Sequence, residues 1–142
     1  MDLLFRKLKE HDLSSVVALA QHGLFPGWTD ESYLSFLNQS SSVCFGGFIE
    51  GKLVSFFLGL FSAGNLDIVA IATDLEQRRK GLAKRLLSEA LKPAGVLTAT
   101  LEVDPQNEAA VRLYMGAGFE VAGLRKKYYE GRKDAWLMRW SR

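Results

Sequence analysis

Five cationic residues, Arg78, Arg79, Lys80, Lys84 and Arg85, fall within eight positions, with Gly81 among them. That combination can hold a polyphosphate. Glycine has no Cβ, so a bulky anion can approach the backbone closely. The stretch comes after an apolar run, "LDIVAIAT" (Leu66–Thr73). It leads into Leu82, Leu86, Leu87, Ala90 and Leu91, which recur on one helical face. A strand–turn–helix unit puts its turn at the carboxyl end of the strand, where open sheets bind ligands. The spacing predicts a helix over 79–92 whose first-turn N–H groups lack intrahelical partners and can face an anion. A basic first turn opposes the helix dipole and so calls for a reason. On these residues alone, a pyrophosphate site and a solvated helix face both stay open.

The whole chain narrows the choice. Its 142 residues suit one domain with a real core. Apolar residues make up 48% and charged residues 24%, as in folded soluble proteins. Eighteen Lys and Arg against sixteen Asp and Glu leave a net charge of only +2, too small an excess for a dedicated nucleic-acid binder. The basic residues are clustered rather than abundant, which favours a local anionic ligand. With one cysteine, Cys44, and two histidines, His11 and His22, neither a disulfide nor a zinc cage is expected. Cys44 lies in an apolar run and reads as a buried residue. The N-terminus does not read as a signal peptide, and no apolar stretch is long enough to cross a bilayer. A cytoplasmic protein without metal, membrane or nucleic-acid partner is the expectation.

The elements that position the basic stretch can be read in order. Leu3–Leu8 is a first strand. Asp12 is expected to cap a helix running to about Gln21. "FPGW" (Phe25–Trp28) forms a turn, and Thr29 or Asp30 caps a second helix through Tyr33, Leu34 and Leu37. Three strands come next, "VCFGGFIE", "LVSFFLGLF" and "LDIVAIAT", separated by turns at Glu50-Gly51-Lys52 and "SAGN". After the basic helix, "VLTATLEV" (Val96–Val103) is a fifth strand, Asn107 caps a further helix and Gly118 stops it. "FEVAGLR" and "DAWLMRW" are the last two strands; on the latter, Trp136 and Trp140 share a face and read as core. The order β-α-α-β-β-β-α-β-α-β-β gives an α/β (α+β) fold: a mixed sheet of about seven strands with helices on both faces.

"DLEQRRKGLAKRLL" after "VAIAT" resembles the acyl-CoA-binding signature of the GNAT superfamily of N-acetyltransferases, Arg/Gln-x-x-Gly-x-Gly/Ala. "TLEVDPQNEAAVRLYMGAGFE" and "RKKYYEGRKDAWLM" are similar to the C-terminal half of the ribosomal-protein-alanine (RimI) type, and "FPGW" echoes its Phe-Pro-Trp. Ala83 stands where glycine is commoner, and Leu75 where proline is frequent. The resemblance implies a single N-acetyltransferase domain over 1–142 that uses acetyl-CoA. It implies that the CoA pyrophosphate lies on Arg78, Arg79, Lys80, Gly81, Leu82, Ala83 and Lys84. Ile71, Ala72 and Thr73 would hold the pantetheine arm and thioester through their main chain, with Asn107 also touching the cofactor. Glu102 falls at the position of the general base and Tyr114 at that of the general acid, with the thioester delivered between them. Tyr128 and Tyr129 match a pair near the acceptor, and Trp28 is a further candidate for its wall.

Each assignment has a plainer rival. Glu102 can pair with a cation at the sheet edge. Tyr114 shares a face with Val111 and can be core, and Asn107 can serve only as a helix cap. Trp28, Phe25 and Tyr33 can be packing. Tyr128 and Tyr129 face opposite sides if they lie in a strand. Lys126, Lys127, Arg132 and Lys133 read as solvated. Three functions therefore compete: acetylation of a protein N-terminal amine, acetylation of a small amine or lysine side chain, and CoA binding without catalysis.

Overall fold

The computed structural model describes residues 2–20, 27–129 and 133–142. Seven strands form one sheet: β1 (Leu3–Lys7), β2 (Ser42–Ile49), β3 (Lys52–Ser62), β4 (Asn65–Thr73), β5 (Thr98–Val103), β6 (Glu120–Tyr129) and β7 (Lys133–Ser141). Four helices join them: α1 (Leu13–Ala20), α2 (Asp30–Asn38), α3 (Leu82–Leu91) and α4 (Glu108–Gly116). The strand order is β1-β2-β3-β4-β5-β7-β6, antiparallel except for the parallel pair β4–β5. The expected mixed sheet and element order are both present.

The turns arise at residues that accept positive φ. Glu50 and Gly51 (φ 51 and 80) close the β2–β3 hairpin, and Ala63 and Gly64 (φ 50 and 80) close β3–β4. The sheet buries both faces. α3 and α4 cover one, where Phe57, Leu66, Leu87, Ala99, Leu101 and Met138 form the core. Trp136 and Trp140 pack against this core, as expected. α1 and α2 cover part of the other, over Val16, Tyr33, Phe36, Cys44, Phe56 and Leu58. Cys44 is buried, and burial pushes its thiol pKa up.

Three expectations need correction. α3 starts at Leu82, not Arg79, because Gly81 takes a left-handed conformation (φ 79, ψ 13) and Arg79 also has positive φ (64). Two such breaks cannot be carried inside a right-handed helix. β5 starts at Thr98, because the Val96 N–H turns back onto the Pro93 carbonyl and the Leu97 N–H bonds Gly64. Asp12 does not cap α1 directly. It ends a one-turn helix, Glu10–Asp12, where it accepts from the Lys9 N–H at 2.8 Å and pairs with Arg6. The expected helix end at Gln21, and Phe25 with it, lies outside the described residues.

Candidate active site

A local irregularity opens the sheet. β3 and β4 pair Leu58 with Ala70 but Gly59 with Ile68, so Val69 is an extra residue on β4. Such a bulge shifts side-chain alternation by one. Leu66 and Ile68 face the α3/α4 core, and so does Ile71, three positions on. Val69, Ala70 and Ala72 face the α1/α2 core. Beyond the bulge β4 parts from β5: the parallel pairing runs from Asn65↔Thr98 only to Ile68↔Leu101. β3 continues beside β4 through Ser55↔Thr73, and β7 continues beside β5 through Val103↔Trp136. A gap therefore opens between Val69–Thr73 and Glu102–Val103, and among the described residues β4 has no ladder partner for its main chain on this side. Ile71, Ala72 and Thr73 line it.

Ser55, fully buried, holds the end of β4: its hydroxyl donates to the Ala72 carbonyl (2.7 Å) and lies 3.0 Å from the Thr73 hydroxyl. Sequence reading passes over Ser55 as one letter of an apolar strand. A polar residue inside "LVSFFLGLF" is the available signal.

The basic stretch forms the rim of this gap. After Thr73, Asp74 accepts from the Glu76 N–H, a short turn spans Leu75–Gln77, and the Arg78 guanidinium donates to the Thr73 carbonyl at 3.3 Å. Arg78, Arg79 and Lys80 thus stand in the loop before α3, while Lys84 lies in its first turn. The helix N-cap is Gly81, which has no side chain to satisfy the first N–H groups, those of Leu82, Ala83 and Lys84. The Arg85 N–H is the first to bond back, to the Gly81 carbonyl. A Cβ built on Gly81 meets nothing within 4 Å. Uncapped donors, open space over a glycine and surrounding cations fit a diphosphate.

The acid–base candidates flank β5. Ala99, Leu101 and Val103 are buried in the α3/α4 core, so Thr98, Thr100 and Glu102 face the other way. Tyr114 lies in the α3/α4 core, edge-on to Phe119 at 5.6 Å. Glu102 and Tyr114 therefore occupy opposite faces of the sheet, on either side of the strand that borders the gap. Asn107 caps α4, its side chain accepting from the Ala110 N–H at 3.3 Å.

The Glu102 face is a polar ladder. Thr98 donates to Asn65 (2.7 Å), Asn65 to Thr100 (3.1 Å) and Thr100 to Asp67 (3.1 Å). Partial loss of solvation raises the Asp67 pKa; the Thr100 hydroxyl lowers it and the nearby charge of Glu102 raises it further. Glu102 pairs with Arg125 of β6 at 3.1 Å. The cation partner considered for Glu102 at the sheet edge is thus present, on the same carboxylate. Asp67, Thr100 and Arg125 escape sequence reading because they meet only through strand pairing. Trp28 packs on α2, 4.9 Å from Tyr33 and 5.8 Å from Phe36. The backbone of Tyr128 and Tyr129 continues β6, and their side chains lie outside the described residues.

The bulged, parting strand pair ends at an uncapped, glycine-led helix, and the chain belongs to the acetyltransferase (GNAT) family, whose model matches residues 13–119. It is an acetyl-CoA-dependent N-acetyltransferase. Among its relatives, the ribosomal protein bS18-alanine N-acetyltransferase of Escherichia coli is 31% identical over 138 residues, 92% of each chain. The N-alpha-acetyltransferase RimI of Mycobacterium tuberculosis is 35% identical over 95 residues, 66% of this chain and 60% of that one. The crystal structure of the ribosomal-protein-S18-alanine N-acetyltransferase from Escherichia coli superposes with a TM-score of 0.89 at 29% identity, covering 99% of this chain and 94% of that one.

Proposed function

We propose that this protein, one N-acetyltransferase domain over residues 1–142, acetylates the N-terminal α-amine of a protein, with Glu102 as general base and Tyr114 as general acid. The observation that carries the reading is the gap between β4 and β5, with a carboxylate on one face of its border strand and a phenol on the other. The choice of acceptor rests on the relatives, two of which are named for acetylating a protein's N-terminal amine. A cytoplasmic site of action is part of the same proposal.

Acetyl-CoA supplies the thioester, and the chain supplies position and proton movement. The N–H groups of Gly81–Lys84, with Arg78, Arg79, Lys80 and Lys84 around them, hold the diphosphate. Asn107, at the start of α4, borders the same cofactor. The main chain of Ile71–Thr73 offers N–H groups to the thioester carbonyl oxygen, on which charge develops. A peptide α-amine has a pKa of about 7.7–8.0, so only modest help is needed to make it neutral. Glu102 accepts that proton from the α1/α2 face, directly or through water. Tyr114 donates its phenolic proton to the departing sulfur from the α3/α4 face. Trp28, Tyr128 and Tyr129 are candidates for the acceptor's walls.

Free-thiol release from acetyl-CoA, run with N-terminal peptides, polyamines and lysine peptides, tests the reading. N-terminal peptides should be the best acceptors. Glu102→Gln and Tyr114→Phe should each lower kcat about 10²–10⁴-fold while CoA still raises the thermal midpoint. Wild-type turnover in both variants would refute the roles. Stabilisation by CoA without thiol release for any acceptor would make the protein a binding module.

A further inference from the structure

The proposed base is held by a residue from a strand that is not its neighbour. Arg125 lies on β6 and Glu102 on β5, with β7 between them. Arg125 nevertheless brings Nη1 to 3.1 Å from Glu102 Oε1. The register explains how. Opposite Arg125 on β7 is Ala135, and opposite Glu102 is Leu137. Alanine leaves room for the long arginine stem to cross β7, and Ala135 is fully buried. Gly123, also on β6, stands against Leu137, where an added Cβ would lie 3.3 Å from Leu137 Cδ1. The surroundings of the pair are charged. Asp67 on β4 senses Glu102, and Arg139 on β7 stands opposite Thr100. The Arg125 side chain keeps 54% of its surface in solvent and that of Glu102 only 23%, so the pair contributes little to stability. Its value lies in geometry.

We propose that Arg125 is a positioning residue for acetyl transfer: its guanidinium fixes the Glu102 carboxylate beside the β4–β5 gap, where the acceptor amine arrives. The inference rests on the reading of Glu102 as the base. Arg125 touches neither the thioester nor the amine in this role; it acts through Glu102.

The test is a double-mutant cycle in steady-state kinetics with acetyl-CoA and an N-terminal peptide: Glu102→Gln, Arg125→Gln, Arg125→Lys, and Glu102→Gln with Arg125→Gln. Arg125→Gln should lower kcat about tenfold or more, in keeping with the roughly 10²-fold that a misplaced group can cost, and leave KM for acetyl-CoA unmoved. Arg125→Lys should recover most of that loss. The double variant should be no slower than Glu102→Gln alone, since a base already removed cannot be misplaced. Should Arg125→Gln fail to fold, Arg125→Met, which keeps the stem over Ala135, takes its place. Turnover of the glutamine variant within about twofold of wild type, or losses that multiply in the double variant, would overturn the inference and leave Glu102 as base. Wild-type turnover in Glu102→Gln would overturn the base assignment itself, and this inference with it.

Discussion

Gly81 has two structural effects in one residue. Its φ of 79 lets the chain turn into α3, and its missing Cβ keeps the first helical N–H groups open. The two can be separated. Gly81→Ala should cost about 1–2 kcal/mol from the left-handed backbone alone, since its Cβ meets no atom of the described residues within 4 Å. It should also raise KM for acetyl-CoA while changing kcat little, because the methyl enters the anion's approach. Gly81→Asn tolerates the conformation better, so calorimetry should show stability partly regained while KM stays high. The basic rim is legible in the sequence because Arg78–Lys84 are contiguous, and contiguity survives folding. Glu102 with Arg125, or Asp67 with Thr100, is not legible. Those pairs depend on which strand lies beside which, and on a register that no local pattern carries.

At the scale of elements, the best-read features are those with local causes. The hairpin turns and the Asn107 cap of α4 stand as expected, and of the two residues expected to cap α2, Thr29 does so. The start of α3 differs from the expectation at Arg79: the apolar face begins only at Leu82, and the backbone breaks at Gly81. Asp12 shows another limit: a capping residue is expected there, and the fold has a junction. Its carboxylate takes both arms of Arg6 from β1 (2.8 and 2.9 Å) and the Lys9 N–H, and it is almost fully buried. The hydrogen bonds from Arg6 come first in lowering its pKa, while burial opposes them. An acid with a depressed folded-state pKa stabilises above its unfolded value, about 3.9, and loses that contribution as pH falls through the folded value. Asp12→Asn should therefore cost about 1–3 kcal/mol at pH 7. The difference in urea midpoint between variant and wild type should shrink as the pH drops below about 4. A difference that stays constant down to strong acid would show that shape, not charge, sets the role of Asp12.

At the scale of the whole molecule, α3 is anchored at both ends. Its N-terminus meets the basic rim. At its other end, the Arg142 guanidinium after β7 binds the carbonyls of Leu91, Pro93 and Val96, and the Arg142 N–H bonds Leu97. A cation at a helix C-terminus also complements its dipole. Arg142→Ala should lower the thermal midpoint by a few degrees, corresponding to about 1–3 kcal/mol. With saturating acetyl-CoA and acceptor, kcat should stay near wild type, because Arg142 lies at the far end of α3 from the basic rim. A drop in kcat without loss of stability would contradict this division. Fold class is legible at this scale from the order of elements. The parting of β4 and β5 is not, since it belongs to a pair of strands separated by a helix.

The extra residue on β4 has a consequence for how this chain can change. Val69 inverts the orientation of the strand's second half, much as a frameshift alters every codon downstream of it. Side-chain chemistry at position 69 is open to exchange for another apolar residue. Its presence is another matter: losing it would set Ile68 directly before Ala70 and restore plain alternation, with Ile71 still toward α3 and α4, and would remove the local bend at which β4 leaves β5.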